Sequence, residues 1–178
     1  MPAIATGYVA SEIARHAYEN LYDLLQRASR EFPERHAFSC GDSHLSFAEL
    51  ERQADAFARY LRHHAGLQPG DRLALMLPNS LQYPIATFGA LKAGVVLVNT
   101  NPQYTASELR HQLADSGASA VLLLDRLLPL LRGVQAHSEV RQILLTSIDD
   151  LERPQFDSDE ADCTRFQQAL RLGAEAPP

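Results

Sequence analysis

Leu73-Ala74-Leu75-Met76-Leu77 is the stretch whose reading decides the fold. It is a continuous apolar run of strand length, entered through the turn-forming residues Gln68-Pro69-Gly70-Asp71. No polar residue alternates within it to face water, so it reads as a strand covered on both faces, the habit of parallel sheets. Downstream the pattern repeats as helix and strand in turn. Ser80 is placed to cap a helix that buries Leu81, Ile85, Phe88 and Leu91, with Pro84 as its fourth residue, where the helical ladder needs no N–H. Gly94 ends that helix, residues 95–98 form the next strand, and Asn99-Thr100-Asn101-Pro102 is a loop. Thr105 and Glu108 make a capping box over a helix that buries Leu109 and Leu113 and breaks at Ser116-Gly117. Residues 121–124 are a third strand, 126–132 a short helix and 142–145 a fourth strand. Buried strands alternating with short amphipathic helices imply right-handed crossovers, hence an α/β fold: an open, mostly parallel sheet with helices on both faces.

Upstream of the deciding run, Ser46 and Glu49 form another capping box. The helix it opens is long, with Phe47, Leu50, Ala54, Phe57 and Leu61 as its buried stripe and Gly66 suited to a left-handed cap. Before it, residues 36–40 and 44–46 flank Gly41-Asp42-Ser43 as a hairpin. Earlier still, Asn20 caps a helix in which Leu21, Leu24, Leu25, Ala28 and Phe32 recur at three-to-four spacing, ending before Pro33. Residues 1–17 show no periodicity and read as a leader. Beyond Thr146 the segment 148–161 is acidic and holds Pro154, which suits a solvated linker, and a short helix over 164–172 stops at Gly173. The chain thus divides into a leader (1–17), an α/β lobe (18–146) and an acidic linker with a short helix (147–178), and its Pro177-Pro178 end looks cut rather than finished.

Composition narrows the function classes. At 178 residues, 46% hydrophobic and 21% charged, the chain forms one ordinary core. No apolar run approaches the ~20 residues of a membrane span, and the first residues lack a secretory pattern, which places the protein in the cytoplasm. Cys40 and Cys163 have no metal-ligand or redox spacing, so a reducing compartment fits. Most of the net charge of −6 sits in residues 147–178, which carry eight acids and three arginines. The rest is nearly neutral, and nucleic acid as a partner drops out for want of a basic stripe. Lys92 is the only lysine.

No motif assembles a catalytic centre. Gly89 to Gly94 has the glycine spacing of a phosphate loop but lacks the following Lys-Ser/Thr and sits at the end of a helix, where packing explains it. The seven histidines include no zinc motif, His63-His64 reads as a solvated helix end, and Ser39 and Ser46 lie in no nucleophile context. The loops after Leu77 and Val98 carry Asn79, Gln82, Tyr83, Asn101 and Tyr104. Ligands of open parallel sheets bind beyond the carboxyl ends of strands, although turn and cap chemistry alone also places Asn at such points.

Three stretches carry a resemblance: Gly70-Asp-Arg-Leu-Ala-Leu-Met-Leu-Pro-Asn-Ser-Leu-Gln-Tyr-Pro, then Phe88-Gly-Ala-Leu-Lys-Ala-Gly, then Val98-Asn-Thr-Asn-Pro-Gln-Tyr-Thr-Ala-Ser-Glu-Leu. Supported by Leu45-Ser-Phe-Ala-Glu-Leu-Glu and Asp115-Ser-Gly-Ala-Ser-Ala, and more faintly by Phe166-Gln-Gln-Ala-Leu, they resemble the amino-terminal region of bacterial long-chain fatty-acid–CoA ligases, members of the adenylate-forming superfamily. The resemblance implies a parent reaction in which ATP and a fatty acid form an acyl adenylate, releasing diphosphate, before the acyl group passes to coenzyme A. It implies ATP, magnesium and CoA as cofactors of the parent, but none for this chain. The family's phosphate loop, its magnesium-binding Glu, ribose-binding Asp and lid Lys belong to segments this sequence lacks. No catalytic, cofactor-binding or metal-binding residue therefore carries over. Asn79, Gln82, Tyr83, Asn101, Pro102 and Tyr104 match family motifs as structural supports. The implied partners are the remainder of a ligase or a ligase subunit, with fatty acid as the parent's substrate and peripheral contact at the inner membrane for the parent. Two readings follow: an amino-terminal ligase fragment inactive alone, or a non-catalytic interaction module derived from this lobe that pairs with a complete ligase. Weak binding of acyl chain or nucleotide without turnover is a third.

Overall fold

The computed structural model describes residues 20–158 and 160–177. The expected leader, 1–17, lies outside the described residues. The deciding run forms β3, Arg72–Met76, with Leu73 to Met76 fully buried. Around it the chain builds α1 (Leu21–Glu31), β1 (His36–Cys40), β2 (Ser43–Ser46), α2 (Phe47–His63), α3 (Gln82–Ala93), β4 (Val96–Asn99), α4 (Ala106–Ser116) and β5 (Ala120–Leu124). A 3₁₀ turn, Asp125–Leu127, leads into α5 (Leu128–Arg132), and a second, Gln135–His137, precedes β6 (Gln142–Thr146). The last elements are β7 (Cys163–Arg165) and α6 (Phe166–Glu175).

β1 and β2 form the expected antiparallel hairpin, and the other strands make one parallel sheet in the order β4-β3-β5-β6-β7. Alternation within the buried strands sends side chains to two cores. Leu73, Leu75 and Leu122 face α2, α3 and α6, while Ala74, Met76, Val121 and Leu123 face Leu109 and Leu113 of α4 and Leu128 and Leu131 of α5. Both capping boxes form: Ser46 with Glu49 and Thr105 with Glu108. The side-chain oxygen of Asn20 accepts from the Tyr22 and Asp23 amides at 2.8 and 3.0 Å, and Gly94 closes α3 at φ 75°, a conformation open to glycine at little cost.

Four local expectations change. On α1 the buried residues are Tyr22, Leu25 and Ser29, whereas Leu21 and Leu24 are 63% and 43% exposed, because α1 packs on α2 and α3 from outside and turns that narrower face inward. Ser80 caps nothing: α3 begins after Leu81 with no side-chain cap, so Pro84 is its third residue, and Phe88 and Leu91 are only half-buried. What α3 buries instead is small: Ala86, Gly89, Ala90 and Ala93. The segment after Thr146 contributes β7 to the sheet, and its Asp150 is fully buried. Gly173 does not stop the last helix but lies inside it.

Gly173 and Gly89 share a cause. A Cβ on Gly173 would fall 1.8 Å from the Ala56 carbonyl oxygen, and one on Gly89 would fall 2.8 Å from that of Ala54 and 2.9 Å from Phe57. Helices α6 and α3 thus clasp α2 from two sides at backbone contact, with the Phe57 and Phe166 rings 5.2 Å apart. Two helices approach this closely only where one presents no side chain.

Candidate functional site

The chain runs from β3 outward to β4 and then back across β3 to β5. Reversals of this kind open a crevice at the carboxyl edge of a parallel sheet. Loops there begin at Leu77, Thr100, Asp125 and Ser147. The loops after β3 and β4 frame an open cleft of about 480 Å³ in which Asn79, Tyr83, Asn101, Pro102 and Tyr104 meet. Five of the six motif positions therefore converge.

Hydrogen bonds give these residues their places. The Thr100 amide donates to the Leu75 carbonyl at 3.0 Å, prolonging the β3–β4 ladder into the loop. Asn101 turns the chain: its Oδ1 accepts from the Gln103 amide at 2.9 Å and its carbonyl from the Tyr104 amide at 3.1 Å. This is the Asx geometry that makes Asn common in turns. Tyr83, one residue into α3, donates its hydroxyl to Asn99 Oδ1 at 2.7 Å, tying the helix start to the end of β4. Burial pushes the Tyr83 hydroxyl above its ordinary pKa, so it stays a neutral donor. The sequence places Asn99 only in a loop, because its role depends on a partner sixteen residues away.

Gln82 departs from the group. It is buried, and its Nε2 donates to the Ser147 carbonyl at 2.9 Å, pinning the loop after β6 to α3. That loop is also held from within. Asp150 accepts from the Thr146 hydroxyl at 2.9 Å and the Gln155 amide at 3.0 Å, and the Gln167 side chain donates to its carbonyl at 3.1 Å. Burial raises the pKa of the Asp150 carboxyl, with those two hydrogen bonds and nearby Arg165 opposing. Arg165, at the end of β7, pairs with Asp125 just after β5. A count of acids marks this segment as solvated; only the partners brought by α3 and α6 reveal an anchored strap.

Every residue lining the cleft is uncharged. Lys92 sits in the last turn of α3, at the opposite edge of the sheet, bonded to Asp55 and 5.0 Å from the Tyr22 ring. Among the described residues no three His, Cys, Asp or Glu side chains gather to hold a metal ion. These residues do not by themselves fit a metal-bound triphosphate, which needs cations and acceptor oxygens. The arrangement presents neutral amide and hydroxyl groups that can donate and accept hydrogen bonds.

The family model for the AMP-binding enzymes matches residues 25–176, most of the chain. The chain belongs to this family. Among AMP-binding relatives, the long-chain-fatty-acid–CoA ligase of Yersinia pestis is 43% identical over 142 residues, which are 80% of this chain and 25% of that protein. The ligase of the same name from Haemophilus influenzae is 45% identical over 133 residues, 75% of this chain and 24% of its own length. The chain thus spans about a quarter of the length of the curated relatives it matches. A long-chain-fatty-acid-CoA ligase (FadD1) from Archaeoglobus fulgidus superposes with a TM-score of 0.71 at 20% identity, covering 86% of this chain and 30% of that one, which shows a shared adenylate-forming fold. No helix among the described residues is long and apolar enough to cross a membrane.

Proposed function

We propose that this AMP-binding chain serves as the amino-terminal lobe of a cytoplasmic long-chain fatty-acid–CoA ligase and does not catalyse that reaction alone. The parent reaction converts ATP, fatty acid and CoA into acyl-CoA, AMP and diphosphate, with magnesium on the phosphates. The single observation that supports this reading most is the identity above 40% to ligases of that name across most of this chain and a quarter of theirs. The uncharged cleft agrees with it. Adenylation develops charge on a phosphorus centre, and donors and metal aimed at that charge supply most of the rate. In this reading Asn79, Tyr83, Asn101, Pro102 and Tyr104 shape one wall of the parent's site, and Gln82 holds the neighbouring loop.

The test is ATP–diphosphate exchange with a long-chain fatty acid. The chain alone is expected to give none, and mixing it with a ligase polypeptide that lacks the matching region is expected to restore exchange. Exchange by the chain alone at catalytic concentrations would overturn the inactivity. Failure to complement, with co-purification of an intact ligase instead, would favour an interaction module.

A further inference from the structure

A groove of about 420 Å³ runs between α2 and α6 and shares no residue with the cleft at the carboxyl edge. The chain carries 22 acids against 16 bases, yet the ten residues that line this groove include three arginines and no acid. On α2, Arg52, Ala56 and Arg59 stand at i, i+4 and i+7, which puts them on one face. On α6, Leu170, Arg171 and Ala174 share the facing side in the same way. Ala56 and Leu170 are buried and give the groove an apolar floor, and the strap after β6 adds Phe156.

The three guanidinium groups are not equivalent. Arg59 is already engaged: its Nη2 pairs with Asp55 at 2.6 Å and its Nη1 donates to the Ala176 carbonyl at 3.2 Å. Arg52 and Arg171 are exposed, and among the described residues neither forms an ion pair. The Arg171 guanidinium lies 5.6 Å from the centre of the Phe156 ring, which is itself 40% exposed. Arginine and aromatic side chains gathered without Asp, Glu or Lys are the mark of the centre of a protein interface rather than of ordinary surface. The walls are fixed in advance. Gly173 brings α6 to backbone contact with α2, and the Gln155 amide, next to Phe156, is held by the Asp150 carboxyl at 3.0 Å. Little ordering is therefore lost when something enters.

We propose that the α2–α6 groove docks an acidic segment of a partner polypeptide. A large apolar side chain of that segment covers the floor of Ala56 and Leu170 beside Phe156, and carboxylates flanking it reach Arg52 and Arg171. The unpaired cations stand on two different helices with the apolar floor between them, so the matching ligand carries acids on both sides of an apolar group. A peptide chain supplies that spacing; a single small anion does not. Each guanidinium offers a planar fork that a carboxylate meets with two charge-assisted hydrogen bonds. Charge then selects acidic segments and speeds their arrival, while burial of the apolar side chain supplies the holding force.

The test does not draw on the ligase reading, because neither ATP nor fatty acid is present. The full chain is titrated by calorimetry with three blocked hexapeptides of sequence EELFEE, QQLFQQ and EESSEE. Saturable binding of EELFEE is expected, with the other two at least about tenfold weaker, since one lacks the charges and the other the apolar anchor. Arg52→Gln and Arg171→Gln remove exposed, unpaired side chains, so each is expected to keep the original urea midpoint while weakening EELFEE several-fold. Arg153→Gln, at a side chain 83% exposed and outside the groove, is expected to leave the affinity unchanged. Absence of saturable EELFEE binding, equal binding of QQLFQQ, or full affinity in the Arg52→Gln, Arg171→Gln double variant would overturn the proposal. So would an equal loss in Arg153→Gln, which would mean diffuse charge attraction. Displacement of EELFEE by an equal concentration of citrate would overturn it too, by making the groove a small-anion site.

Discussion

The layer formed by α2, α3 and α6 and the carboxyl edge of the sheet are held by different forces. In the layer, backbones touch: Gly89 and Gly173 let two helices close on α2 so tightly that a single added carbon has nowhere to go. At the edge, neutral side chains reach across gaps by single hydrogen bonds, as Tyr83 does to Asn99 and Gln82 to Ser147. Steep short-range repulsion makes the first region a rigid platform, whereas each bond in the second adds only about 1 kcal/mol net. A platform of this kind places loops reproducibly and leaves their chemistry open to change.

The sharpest way to break the contrast is Gly173→Ala. Helix propensity alone favours alanine by about 1 kcal/mol, but the backbone overlap is expected to dominate and cost about 4 kcal/mol or more. That is a large share of a typical domain's stability, so a steep fall in the urea midpoint is expected when unfolding is followed by circular dichroism. Gly89→Ala meets a longer approach, and a loss of about 2 kcal/mol is expected in the same titration. Gain of stability in either variant would show that the layer can shift and that the contrast is false.

At the edge the effects are smaller and carry a pH signature. Asp150 has its folded pKa raised above its ordinary value of 3.8, so the native state holds the proton more tightly than the unfolded chain. Its contribution to stability is complete below that ordinary value and is lost as pH rises through the raised one. Asp150→Asn is expected to remove this slope, so that the original chain loses urea midpoint relative to the variant on going from acid to neutral pH. Parallel profiles would mean that the strap does not bury a titrating charge. Tyr83→Phe is the mildest change: about 0.5 kcal/mol from one hydrogen bond whose Asn99 partner stays within reach of water, with no change in the circular dichroism spectrum. A loss as large as that of Gly89→Ala would place Tyr83 in the platform rather than the rim.

How legible each region was follows from the range of the forces involved. The Ser46 and Thr105 capping boxes appear at their expected positions because each joins residues three apart. The apolar runs at β3 and β5 declared a sheet covered on both faces for a similar reason. The α1 stripe is ambiguous in sequence because Leu21, Leu24 and Phe32 fit helical spacing as well as the Tyr22, Leu25 and Ser29 face that packs, and only the neighbours α2 and α3 choose between them. Ser80 looked like a cap because its residue type prefers caps, yet the helix starts one residue later and leaves the hydroxyl inside. In the candidate site, the gathering of Asn79, Tyr83, Asn101, Pro102 and Tyr104 was foreshadowed by the rule for carboxyl edges, while the departure of Gln82 was not.

Sequence by itself determined the elements, their alternation and hence the parallel α/β class, because caps, turns and hydrophobic period act within a few residues. It also carried the likeness to AMP-binding enzymes, which needs only the order of motifs. Tertiary structure alone decided that Gly173 is a helix contact rather than a stop, that the acidic segment holds a buried carboxyl group, and that Gln82 leaves the cleft to hold the loop after β6. Each of those depends on what lies opposite in space, and backbone repulsion, desolvation and hydrogen-bond satisfaction act only once distant parts of the chain have met.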